Sequence, residues 1–203
     1  MTSPSISVTV EGNSDEALAR KLLELAEFTV SYVYVQGGKD RLDEKLRAFN
    51  HAAKFTPWFV LRDLDQDAPC APDLVKELLP DRAVNMCFRI PVRTAESWLL
   101  ADRKNISQFL GVPMSKIGAN PDDLDDPKTV LINLARKSKS KQIREDIVPP
   151  TNAVARVGPA YVSRIIEFSN EYWDPRKASK NSKSLAKCLL ALEKLNQALT
   201  SKT

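Results

Sequence analysis

The feature that most constrains the fold is an alternation running through the first hundred residues, in which short β-branched runs are each followed by a turn and an amphipathic helical segment. SISVTV leads into EGNSDEALARKLLELAEF, where Leu18, Leu22, Leu25 and Ala26 recur at helical spacing. FTVSYVYVQ closes at Gly37-Gly38 and is followed by a charged segment with Leu42, Leu46 and Phe49 on one face. PWFVLRDLD ends in aspartates; prolines 69 and 72 then bound a short helix, DLVKELL, before a fourth apolar run, AVNMCFRIPV. Parallel strands need long crossovers, usually helices, so this order predicts an α/β, Rossmann-like, mainly parallel sheet of about four strands flanked by helices. Such sheets place ligands at the carboxyl ends of their strands, where Glu11, Asp63 and Asp65 fall.

No further strand is convincing after Val92. TAESWLLAD, KNISQFLG, PKTVLINLARKS, GPAYVSRIIEFSNEYW and SKSLAKCLLALEKLNQAL all read as helices. The stripe Leu185, Leu189, Leu192 and Leu195 reads as helix packing. The proline-bounded acidic stretch NPDDLDDP is the expected boundary and the least ordered segment. The expected organisation is an α/β core over residues 1–102 and a helical, basic extension over 103–203 packed on it.

Charge divides unevenly along the chain. Residues 1–127 hold 15 Lys and Arg against 20 Asp and Glu, net −5; residues 128–203 hold 15 against 6, net +9. An acidic front that can hold a divalent cation beside a basic back that attracts phosphates suits a polyanionic substrate; solvated helix faces are the plain alternative. RKSKSKQIRED sets Arg136, Lys137, Lys139, Lys141 and Arg144 close together without interleaved aromatics, which predicts contact with a nucleic-acid backbone rather than base stacking. Lys177, Lys180 and Lys183 form a second group, any one of which is a candidate to reach a scissile phosphate.

Several function classes drop out. No apolar run approaches the ~20 residues that span a bilayer, so no membrane partner is expected. The N-terminus lacks the basic and apolar segments of a secretory signal, so a cytoplasmic location is expected. Cys70, Cys87 and Cys188 show no paired spacing, and with His51 as the only histidine they make a poor zinc site. No glycine-rich phosphate loop is present, so an ATPase would have to be a separate partner.

VEGNSDE and RDLDQD together supply what a hard cation such as Mg²⁺ takes: oxygen ligands from a few carboxylates, with waters kept for a substrate phosphate. In DLD, a continued strand would send Asp63 and Asp65 to one side, with Asp67 joining them or turning away. Gly12 allows a sharp turn after Glu11, and Asn13 with Glu16 resembles a capping box. Asp15 is open to two readings, a further ligand or a residue favoured by the helix dipole.

These residues resemble the TOPRIM domain of topoisomerases, bacterial primases and OLD-type (overcoming lysogenization defect) nucleases. VEGNSDE is similar to its glutamate motif and DLD to its paired-aspartate motif. RIPVRTAESWLLAD is similar to a block found in small stand-alone TOPRIM proteins related to the OLD nucleases, as are VGPAYVSRIIEF, the WDP of Trp173 to Pro175 and the S-x-S-L of Ser182 to Leu185, so the resemblance covers most of the chain. It implies that Glu11 binds metal or acts as acid/base, that Asp63 and Asp65 bind metal, and that Glu96 contributes to a second metal position; Asp15 and Asp67 complete the candidate ligands. Thr94 as an N-cap is the structural alternative for Glu96, and Asp102, six residues further along the helix, reads as structural. The implied cofactor is Mg²⁺ or Mn²⁺, the implied activity nuclease, and the implied partners are nucleic acid and a separate ABC- or AAA-type ATPase, with a homodimer left open. Two other readings compete: a non-catalytic module of the same fold, and a phosphatase of the haloacid-dehalogenase type, disfavoured because its paired aspartates follow the first core strand.

Overall fold

The computed structural model of the chain describes residues 3–201. Its sheet has four parallel strands, β1 (Ser5–Val10), β2 (Thr29–Val35), β3 (Trp58–Leu61) and β4 (Met86–Arg89), in the order β2-β1-β3-β4. The crossovers contain α1 (Asn13–Leu25), α2 (Lys39–Ala52) and α3 (Ala71–Leu78). The α/β, Rossmann-like architecture expected from the alternation is therefore the observed one.

Period-two alternation explains the two faces. Ile6, Val8 and Val10, with Phe59, Leu61 and Cys87, point into one hydrophobic cluster, while Trp58, Val60, Met86 and Phe88 point into another beneath α2 and α3. Thr9 faces the second side and is satisfied there, its hydroxyl accepting from Trp58 Nε1 at 2.9 Å. Edge strand β2 is the exception: only Val30 and Val33 pack against the first cluster, and Tyr32 is 67% exposed.

The second half is helical: α4 (Glu96–Ala101), α5 (Arg103–Leu110), α6 (Pro127–Arg136), α7 (Lys141–Ile147), α8 (Tyr161–Glu167), α9 (Pro175–Ala178) and α10 (Lys183–Thr200). The first hydrophobic cluster runs without a break from β1 and α1 through α4 and α6 to Leu185, Cys188 and Leu192 of α10. Two motifs from the helical half, WDP and S-x-S-L, close around α4 through three hydrogen bonds. Trp98 Nε1 donates to Ser184 Oγ at 2.7 Å, Trp173 Nε1 donates to the Trp98 carbonyl at 3.2 Å, and the Asp174 amide donates to Asp102 at 2.9 Å. Asp102 also accepts from Asn105, capping α5.

NPDDLDDP differs from its expectation as the least ordered stretch. Asp122 accepts from Ser182 Oγ and the Ser184 amide, and Asp126 caps α6 through the Thr129 amide, so these two of its four aspartates serve as fasteners, while Asp123 and Asp125 are exposed. No helix among the described residues is long and apolar enough to cross a membrane.

Candidate functional site

Because β1 and β3 are adjacent and parallel, with Val10 opposite Leu61, the residues just past their ends emerge side by side. Glu11 follows β1 and Asp63 follows β3, and Glu11 Oε1 accepts a hydrogen bond from the Asp63 amide at 2.8 Å. Asp63 Oδ1 in turn accepts from the Ala95 amide at 2.9 Å, fixing the start of α4 and bringing in its first residue, Glu96, which is 5% exposed. Asp15, in the first turn of α1, is the fourth carboxylate, and the charges of the four act on one another.

Burial and mutual repulsion raise the proton affinity of Glu11, Asp15 and Asp63. Burial pushes Glu11 up to about 7, against the Asp63 amide, which favours the charged form, while Asp15 and Asp65 push further upward. Asp15 is raised to about 6 by burial and then by Glu96. Asp63 is held well above the usual carboxylate range by burial and then by Asp15, Glu96 and Glu11.

Two cations offset them: Arg62 acts on Glu11, and Lys128 acts on Asp15 and Asp63. Lys128, the second residue of α6, places Nζ 3.5 Å from Glu96 Oε1. Burial works against its charge, but Glu96, Asp63 and Asp15 more than compensate and keep it protonated. Tyr161, first residue of α8, donates its hydroxyl to the same Glu96 oxygen at 2.7 Å; burial and then the Glu96 charge raise its own proton affinity. Gly158 enables that approach, since a Cβ there would collide with the Asp146 carbonyl and with Ile147.

The paired-aspartate motif divides. The strand ends at Leu61, so the alternation that would have kept Asp63 and Asp65 on one side stops before it reaches them. Asp65 adopts φ 49° and pairs its carboxylate with Lys39 at 3.2 Å, at the rim rather than inside the cluster. Asp67 is engaged by cations in this structure. It bridges Lys39 at 2.7 Å and the buried Arg62 at 2.6 Å, which outweigh partial burial and hold its proton affinity low. The capping assignment also shifts: Asp15, not Glu16, reaches back to the Gly12 amide at 2.9 Å, and Glu16 pairs with Arg20. Thr94 does not cap α4; its buried hydroxyl has no partner, and Ala95 occupies the cap position.

None of the eight basic residues singled out in the second half is paired with the cluster. Arg136, Lys137 and Lys139 are exposed, Lys141 pairs with Glu145, Arg144 holds the Ser138 carbonyl, and Lys177 pairs with Asp174. Lys180 is exposed, and Lys183 lines a different cavity. Cations near the site come from elsewhere: Lys39, Arg93, Lys128 and Arg156 line a cleft of about 440 Å³ that also contains Asp65 and Thr94.

No family model, curated protein or solved structure matches this chain. What the site can do therefore follows from its own chemistry.

Among the described residues no group of three or more His, Cys, Asp or Glu side chains is set to hold a metal ion as it stands. Mg²⁺, however, is bound through one or two carboxylates together with water and substrate phosphate, rather than by an all-protein cage. An all-oxygen set with raised proton affinities, and the unpartnered Thr94 hydroxyl on the cleft wall, fit that kind of ion. Glu11 and Asp63 would hold it, with Asp15, Glu96 and Asp65 around them.

Proposed function

We propose that this chain is a TOPRIM-fold, Mg²⁺- or Mn²⁺-dependent phosphodiesterase that hydrolyses the backbone of a nucleic acid in the cytoplasm, related to the OLD-type nucleases and served by a separate ATPase. The observation that carries the reading is the seating of Glu11 on the Asp63 amide within a largely half-buried group of four carboxylates at the carboxyl edge of a parallel sheet.

The chain's own residues divide the work. Glu11 is suited either to hold the divalent ion or, as the base, to take a proton from the water that attacks phosphorus as the bond to the leaving oxygen breaks. Asp63 holds α4, and through it Glu96, in place. Lys128, kept charged, is suited to offset negative charge growing on the phosphate. The divalent ion, when bound, would supply Lewis-acid stabilisation of that charge. Lys39, Arg93 and Arg156 on the cleft wall favour the approach of a phosphate backbone.

The test is incubation of purified protein with plasmid, single-stranded DNA and RNA in Mg²⁺ or Mn²⁺ beside Glu11→Gln. Cleavage by the native chain and its loss in the variant is the expected result; equal cleavage by both rejects the site. A second reading, a binding module without turnover, draws support from Lys128, which already offsets part of the cluster's charge. Retention of nucleic acid with no cleavage under any divalent ion would favour it.

A further inference from the structure

A second, larger cavity of about 720 Å³ lies beside the carboxyl end of β4, between the α3 region and the start of α10. It falls within the size range of sites that accept small organic ligands. Its apolar wall includes the half-buried Val75, Val92 and Leu124, backed by the core residues Leu64, Phe88 and Ile90. Its cations are Arg82, Arg89, Arg93, Lys183 and Lys187, and among the described residues none of the five forms an ion pair.

That is an unusual state for five cations around one hollow. Nε of Arg89 is buried with no hydrogen-bond partner, a cost that native structures seldom leave standing. Three carboxylates also line the cavity, but Asp122 is committed to Ser182 and Ser184. Asp123 and Asp125 remain, so positive charge prevails. An apolar wall beside unpaired cations calls for a ligand with an apolar body and an anionic group. The neighbouring cleft narrows the choice: Arg93 and Asp125 line both hollows, so the cavity adjoins the cleft that carries Lys128, the partner of Glu96.

We infer that this cavity is a nucleotide site, taking one unpaired nucleotide with its base against the apolar wall and its phosphate among Arg82, Arg89 and Lys187. The choice of a nucleotide as occupant rests on the phosphodiesterase reading above; the need for an apolar anion does not. A flipped base of a single strand and a free mononucleotide share this chemistry.

The full chain, in EDTA so that no cleavage intervenes, is titrated calorimetrically with a nucleoside 5′-monophosphate, the corresponding nucleoside and inorganic phosphate. The same titrations are run on Glu11→Gln and on Arg82→Glu/Lys187→Glu, whose two positions are exposed and leave the core intact. Saturable binding of the monophosphate is expected, at least tenfold tighter than either fragment, unchanged in Glu11→Gln and at least tenfold weaker in the double variant. Binding of phosphate as tight as that of the nucleotide, no saturation, or an unaffected double variant overturns the site. Competition by a short single-stranded oligonucleotide, but not by a blunt duplex, identifies the strand as the source; nucleotide binding without such competition identifies the free mononucleotide. Cleavage by Glu11→Gln bears only on the carboxylate site, so the two ideas fail separately.

Discussion

The carboxylate cluster and the second cavity, both at the carboxyl edge of the sheet, are electrostatic opposites. Around Glu11, Asp15, Asp63 and Glu96 negative charge is concentrated and buried, with Lys128 close by to offset it. Across Arg93 and Asp125, five cations surround an apolar hollow and none is ion-paired. On the reading proposed above, a phosphate chain carrying a divalent ion would complement both. The contrast also shows how one short motif can serve both ends: Asp63 sits with the carboxylates, while Asp67, four residues on, is neutralised by Lys39 and Arg62.

The strongest way to break this contrast is to compare those two aspartates. Asp63→Asn should lower divalent-dependent cleavage by roughly 10³-fold, the size expected when several kcal/mol of charge stabilisation are lost, whereas Asp67→Asn should stay within about threefold. Similar losses in both would mean that the ion pairs of Asp67 do not exclude it from the chemistry.

Next in size is the pH dependence of the metal-free fold. Glu11 is raised from 4.5 unfolded to about 7 folded, so its contribution to stability is fully present below pH 4.5 and is lost as pH rises to about 7. That loss is at most about 3 kcal/mol, because each tenfold change in proton affinity corresponds to about 1.36 kcal/mol. Denaturant melts from pH 5 to 8 in EDTA should fall accordingly, Glu11→Gln should flatten the fall, and Mg²⁺ should restore stability at the upper end. A native curve that rises over that interval contradicts the assignment.

Removing the cation sharpens the comparison from the other side. Lys128→Met should cost about 10²-fold in turnover and move the acid limb of the pH–rate profile to higher pH, because Lys128 lowers the proton affinity of Asp15 and Asp63. An unmoved limb with reduced rate would assign Lys128 to substrate binding alone. The smallest effect belongs to Tyr161→Phe. Deleting the hydroxyl that holds Glu96 should cost about 1–2 kcal/mol of stability, measured by urea melts, with a modest fall in rate.

The sheet and the strand-tip acids are legible in the sequence because their signals are local. β-branched runs, turns and helical spacing lie within windows of ten residues, and Glu11 and Asp63 follow strands whose neighbours are predictable. What the sequence conceals depends on distance or on one residue of phase. Extending the strand through Asp65 misplaces it, since β3 stops at Leu61, and the capping carboxylate shifts from Glu16 to Asp15 because α1 begins at Asn13. Asp67 carries no local sign that Arg62 and Lys39 engage it. Lys128 and Tyr161 are hidden behind denser lysine runs, since nothing nearby in the chain marks which residue of α6 or α8 lies over the sheet edge. The unpaired cations of the second cavity come from separate stretches and show no pattern at all in one dimension.

The closure of the helical half around α4 has a consequence for synthesis. Domains form from the N-terminus onward as the chain emerges. Glu11, Asp15, Asp63 and Glu96 all leave the ribosome before Lys128 and Tyr161, and the hydroxyl that receives the Trp98 indole is later still, at Ser184. A nascent chain therefore carries its mutually repelling acids without their counterweight, and the centre becomes whole only after the start of α10 has been made.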